Sequence, residues 1–296
     1  MGLAAWPVRA VLFVTTGDPD FNTIAPTGVL LDSGWQYEGQ WGNFLGTPIA
    51  PNAFITAKHV GGQLGDTFTF NQLSYTTTAY FDCPASDLRV WRVSAAFPVY
   101  APLYTGGSEV GQSLVVFGRG TQRGSEVRVN GNLRGWRWGA SDQRQRWGQN
   151  VVSGIADEGA GLGQMLQAGF DYAAGDNEAH LSLGDSGGGV FIKDGSVWKL
   201  AGINYGVDAE FSLTGAEGSG FNAAIFDAGG LYYGYGALWE YIADQPADIP
   251  SSFYATRISA NLDWINSAVP EPAAWALLAG LGLLAWAALR RRSGKG

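Results

Sequence analysis

Short apolar stretches, each closed by a cluster of turn residues, constrain this chain more than any other feature. Leu114-Val115-Val116-Phe117 runs into Gly118-Arg119-Gly120, and Gly189-Val190-Phe191 leads to Lys193-Asp194-Gly195-Ser196 and on to Trp198-Lys199-Leu200-Ala201-Gly202-Ile203. The Asp194-Gly195 pair between two apolar runs signals a β-hairpin, because its residues tolerate the positive φ angles of a tight turn. Long helical patterns are nearly absent before residue 231, so the spacing predicts an all-β sandwich or barrel. Hydrophobic residues reach 46% and charged residues only 15%. The length suits one large domain or two small barrels sharing a cleft.

One motif stands out for its chemistry. Residues 184–188 read Gly-Asp-Ser-Gly-Gly. A serine hydroxyl is a weak nucleophile and needs both a base and a place for negative charge to develop. The flanking glycines let the backbone turn tightly and bring N–H groups close to a reacting atom. The chain offers two histidines as bases, His59 and His180. His180 lies six residues before Ser186, an awkward approach to its hydroxyl except through a tight loop. His59 ends the β-type run Phe54-Ile55-Thr56-Ala57-Lys58-His59. For the orienting carboxylate, Asp87 heads the alternating run Leu88-Arg89-Val90-Trp91-Arg92-Val93, while Asp82 competes without such a strand behind it.

These pieces together resemble the trypsin-like serine proteases. Thr56-Ala57-Lys58-His59 matches the family's Thr-Ala-x-His, and Asp87-Leu88-Arg89-Val90 resembles the strand that the family's aspartate opens. Gly111–Gly120 resembles the strand that runs into a Gly-x-Gly turn, and the hairpin after Ser186 has its counterpart there too. Tyr254–Ile258 followed by Asn261–Ile265 resembles the last strand and C-terminal helix. The likeness spans roughly residues 28–267, in the family's order. It implies two six-stranded antiparallel β-barrels of chymotrypsin type with a short C-terminal helix. It also implies a Ser186-His59-Asp87 triad that hydrolyses peptide bonds through an acyl-enzyme, an oxyanion hole from the amides of Gly184 and Ser186, and a structural Asp185. In many family members that aspartate pairs with a freed N-terminus, but no Ile-Val-Gly-Gly start is visible here. The other class of reading is an inactive relative that serves as an extracellular binding or matrix protein.

By family position the base of the specificity pocket is His180, which would attract an acidic side chain or fill a smaller neutral pocket. Asn204-Tyr205-Gly206 resembles the family's Ser-Trp-Gly pocket wall, offset by about one residue. No cofactor or metal is implied. Asp157, Glu158, Asp171, Asp176 and Glu178 in residues 154–180 could hold calcium, but their spacing matches no EF-hand loop, and solvated acidic loops are preferred. Residues 207–252 form a long insertion without a family counterpart, placed where it could cover the cleft. Cys83, the single cysteine, permits no internal disulfide and reads as a small buried residue.

The net charge is −8, and the body is more acidic still without Arg290, Arg291, Arg292 and Lys295. Such a surface argues against nucleic acid as a partner. The cluster Arg134, Arg137, Arg144 and Arg146 reads as surface strands rather than a single-strand binding face.

The tail points to a destination. Val269-Pro270-Glu271-Pro272 precedes an uncharged apolar stretch from Ala273 to Leu289, then Arg290-Arg291-Arg292. At the helical rise residues 273–289 reach about 25 Å, the lower limit for a transmembrane helix, and the arginines would stay on the cytoplasmic side. The order resembles the PEP-CTERM sorting signal of Gram-negative bacteria, which implies an exosortase-type partner. The expected organisation is an N-terminal segment 1–27, a protease domain 28–268 and a sorting tail 269–296. The protein is expected to be exported to the cell envelope, then anchored through the tail or released by its processing. Ala10–Val14 is apolar but too short for a convincing signal peptide.

Overall fold

The computed structural model describes residues 11–157, 159 and 161–269. It is mostly β-sheet with one short C-terminal helix. Six strands close into a barrel: β1 (Gly39–Trp41), β2 (Phe44–Ala50), β3 (Ala53–Ala57), β4 (Thr67–Phe70), β5 (Leu73–Asp82) and β6 (Leu88–Val93). Their order around the barrel is β1-β2-β3-β6-β5-β4, every ladder antiparallel.

A second unit is built from β7 (Ser113–Gly118), β8 (Arg146–Val151), β9 (Gly154–Asp157), β10 (Gln164–Gly169), β11 (Gly189–Asp194), β12 (Val197–Val207) and β13 (Ser252–Arg257). They form one seven-stranded sheet in the order β8-β7-β11-β12-β13-β10-β9. Six strands were expected here. The extra one arises because β8 and β9 are halves of one bent segment, interrupted only at Val152-Ser153. The first half pairs with β7 and the second with β10. The Ser153 amide bonds the Gln167 carbonyl at 2.8 Å, so the two ends of the sheet meet at the bend. Counting β8 and β9 as one, the second unit repeats the strand order of the first.

The side-chain alternation explains why the central strands read as unbroken apolar runs. In β7, Leu114 and Val116 face the interior of the second unit, whereas Val115 and Phe117 face the first unit. In β3, Phe54 joins Trp41, Phe68, Phe70 and Trp91 inside the barrel, while Ala53, Ile55 and Ala57 face the second unit. With both faces buried there is no polar position in the period-2 pattern. The helix α1 (Leu262–Ala268) closes the shared core with Ile265 and Ala268.

Two regions lie outside these two units. Val11–Val14 is buried, and Leu12 pairs with His180, so this short segment packs into the body. A long hairpin, Thr121–Val129 with Asn132–Ser141, turns through Asn130-Gly131, both at positive φ, as a tight turn demands. The 207–252 insertion docks on this hairpin: Ala223–Ile225 pairs with it, and Arg134 forms a buried ion pair with Asp227. A small sheet of Glu210–Ser212, Tyr232–Tyr235 and Leu238–Tyr241 completes the insertion. The rest of the arginine cluster is also engaged internally. Arg146 pairs with Asp142, Arg144 with Asp20, and Arg137 lies 3.9 Å over the Phe221 ring.

Cys83 is buried beside Asn261. Among the described residues no helix is long and apolar enough to cross a membrane, and the expected span 273–289 lies outside them.

Candidate active site

The two units meet at a cleft that brings His59, Asp87 and Ser186 together. His59 lies in a 3-10 turn, Lys58–Val60, at the end of β3, where the residues after a fully buried strand emerge at the rim of the barrel. Asp87 directly precedes β6, the neighbour of β3, and the Ala57↔Leu88 pairing sets its register beside His59. Ser186 arrives from the second unit, three residues before β11.

The three side chains form a hydrogen-bonded line. His59 Nδ1 lies 2.5 Å from Asp87 Oδ2 and Nε2 lies 2.9 Å from Ser186 Oγ. Asp87 is 3% exposed and also accepts the His59 amide through Oδ1 at 3.0 Å. A carboxylate at Nδ1 selects the tautomer with the proton there, which leaves Nε2 as an acceptor for the serine O–H. Tyr205 stands edge-on to the imidazole at 5.6 Å. The carboxylate's loop is fixed from below: Lys58 Nζ donates to the carbonyls of Cys83 and Ser86, and Ser86 Oγ donates to Asn261. Asp82, the competing carboxylate, instead pairs with Arg89 on the surface.

The loop before Ser186 is shaped for an anion. Gly184 adopts φ +101°, a region that L side chains rarely enter, and a Cβ there would press on the Gly120 backbone at 3.0 Å. Among the described residues neither the Gly184 nor the Ser186 amide donates a hydrogen bond, whereas Gly187 and Gly188 donate to Asn204 and Asp185. Asp185 is buried and accepts from the Gly120 amide, the Ser182 amide and the Ser182 hydroxyl at 2.7, 2.7 and 2.9 Å. Burial pushes its pKa up to about 6, against those three donors. Glu38 supports the same segment from the first unit. It accepts from Thr47 and from the Gly189 amide, both at 3.1 Å, and burial pushes its pKa up to about 8.

The cavity beside Ser186 measures about 250 Å³. Asn204, Tyr205 and Gly206 line it, as the pocket-wall resemblance implies. His180 does not. It is 0% exposed, packed against Phe170 and Phe253, donates from Nδ1 to the Leu181 carbonyl at 2.7 Å, and sits 3.3 Å from Ser251 Oγ. Burial holds its pKa below the ordinary histidine value. The strand pairing with Leu12 draws it into the core, a constraint that lies far away in the sequence. Several lining residues were not foreseen individually: Trp138 from the long hairpin, and Asp208, Asn222 and Tyr235 from the 207–252 insertion. Their signals were the placement of the insertion where it could cover the cleft and the position of Asp208, two residues beyond the Asn204-Tyr205-Gly206 segment.

Among the described residues no cluster of His, Cys, Asp and Glu could hold a metal ion. Glu178 from the acidic stretch is buried, bonded to Asn150 and to the Asp171 amide, with its pKa pushed up to about 8 by burial. Such a neutral carboxyl is a poor cation ligand. Glu158 lies outside the described residues.

Residues 268–292 match the family model of the PEP-CTERM protein-sorting motif. The motif indicates export and envelope-associated sorting and implies recognition by an exosortase-type sorting enzyme. The match covers residues 269–292 of the tail and the last residue of α1. No curated protein matches the chain.

Proposed function

We propose that the chain is an exported serine endopeptidase of the trypsin-like class. The observation that carries this reading is the line Asp87–His59–Ser186, at 2.5 and 2.9 Å, assembled from two separate β units. In the proposed reaction Ser186 Oγ attacks the scissile carbonyl carbon as His59 Nε2 takes its proton. The carbonyl oxygen becomes an oxyanion, for which the free amides of Gly184 and Ser186 are the available donors. His59 then gives the proton to the leaving amine, and an acyl-enzyme remains. Water, deprotonated by His59, releases the acid and restores Ser186.

The repeated strand order supports the finer reading of the fold as two six-stranded barrels of chymotrypsin type, the second closed through the β8–β9 bend. The three donors on Asp185, the Gly120 amide and the amide and hydroxyl of Ser182, all come from the body itself, which supports a formed oxyanion loop. The sorting tail fits an enzyme that works outside the cytoplasm, anchored through residues 273–289 or released after the tail is processed.

A fluorophosphonate probe tests the proposal. The folded protein should label stoichiometrically, and Ser186→Ala and His59→Ala should not. A folded native protein that stays unlabelled refutes the hydrolase reading and returns the chain to the class of binding proteins.

A further inference from the structure

Asp208 lines the same cavity as His59 and Ser186. Its Oδ2 accepts the Ser252 amide at 2.6 Å and its Oδ1 accepts the Tyr254 hydroxyl at 2.8 Å. Each carboxylate oxygen has two lone-pair sites, so one acceptor position on each remains open. Both bound donors are neutral. Burial and the charge of Asp208 push the Tyr254 pKa up, so the phenol stays protonated.

Charge in the cavity is one-sided. Its lining contains two carboxylates, Asp185 and Asp208, and neither lysine nor arginine. Asp185 is enclosed by its own three donors, whereas Asp208 is half-buried. Among the described residues Asp208 has no ion-pair partner. The nearby His180 does not supply one, because its enclosure keeps it neutral. A half-buried carboxylate held by two neutral donors and without an ion-pair partner is placed to pair with a cation that enters the cavity.

We propose that this cavity takes the side chain of a lysine or arginine of the peptide substrate, with Asp208 as its ion partner. The inference rests on the hydrolase reading above. A guanidinium would use the open positions of both oxygens in a bidentate pair, and an ammonium would use one. Both expected roles of His180, attracting an acidic side chain or filling a smaller neutral pocket, required it at the cavity, where it does not lie.

The test uses fluorogenic peptides that differ only in the residue before the cleaved bond. Arginine and lysine peptides should exceed the alanine peptide in kcat/KM by about ten- to hundredfold, the range of a charge-assisted contact. The glutamate peptide should fall below alanine. Asp208→Asn should collapse the arginine-to-alanine ratio toward one, whatever its absolute rate. A second measurement needs no variant: benzamidine should slow fluorophosphonate labelling of the native protein competitively, and uncharged benzamide should not. Labelling without any preference for cationic peptides, or equal protection by both aromatics, overturns the proposal and leaves the hydrolase reading standing. Absence of labelling overturns both.

Discussion

Asp185 accepts a 2.7 Å hydrogen bond from the Gly120 amide, and this contact ties the nucleophile loop to the turn that follows β7. The carboxylate also holds both donors of Ser182, so its three partners fix the backbone on which Gly184 and Ser186 present their amides. Asp185→Asn keeps the size but has one acceptor oxygen where the loop needs two. Losing a buried acceptor typically costs about 1–3 kcal/mol. Fluorophosphonate labelling of this variant should be slower by about tenfold or more, with the protein still folded by circular dichroism. Unchanged labelling would show that the loop is held by other means.

Asp87→Asn is expected to separate geometry from chemistry. The amide can donate to Nδ1, which moves the ring proton to Nε2 and removes the acceptor that Ser186 needs. Peptide hydrolysis should fall by about 10⁴-fold, while thermal unfolding moves little. A loss of less than tenfold would mean that Asp87 does not set the tautomer.

Arg134 and Asp227 form a buried ion pair that pins the 207–252 insertion to the long hairpin. Arg134→Ala strands the Asp227 carboxylate away from water. Breaking such a pair from one side costs about 3–5 kcal/mol. The variant should therefore lose stability in urea by that order, and Asn222 and Tyr235 should lose their places beside Ser186. Stability within about 0.5 kcal/mol of the native protein would contradict the pairing.

Stability should decline between mildly acidic and mildly alkaline pH. Glu38 and Glu178 have pKa values raised from 4.5 to about 8 by burial, and Asp185 from 3.8 to about 6. In this range the native state holds protons that the unfolded chain has released, so stability falls as pH rises. The contribution is complete below pH 4.5 and is lost as pH passes 8 for the two glutamates. The melting temperature at pH 5 should exceed that at pH 8 by about 5 °C or more, and Glu38→Gln should shrink the difference. A melting temperature that rises over this interval in the native protein but not in Glu38→Gln would reverse the sign and refute the assignment.

What could be read from residues alone was local. The period-2 runs and turn residues announced a β protein, and the hairpin after Ser186 forms, though its two turn residues are Gly195 and Ser196, with Asp194 paired to Val197 and only Gly195 at positive φ. The short tail signal was equally legible, since a sorting motif is read as a linear string. His59, Asp87 and Ser186 were identifiable because each sits in a local motif. Their approach to within hydrogen-bonding distance depends on two units packing through Ile55, Val115, Phe117 and Phe191, which no local pattern encodes. The same limit governed the pocket. Pairing with Leu12 removed His180 from the cavity, and the bonds from Ser252 and Tyr254 fixed Asp208 in it. Those contacts join residues far apart in the chain, so their energies exist only once the tertiary structure has formed.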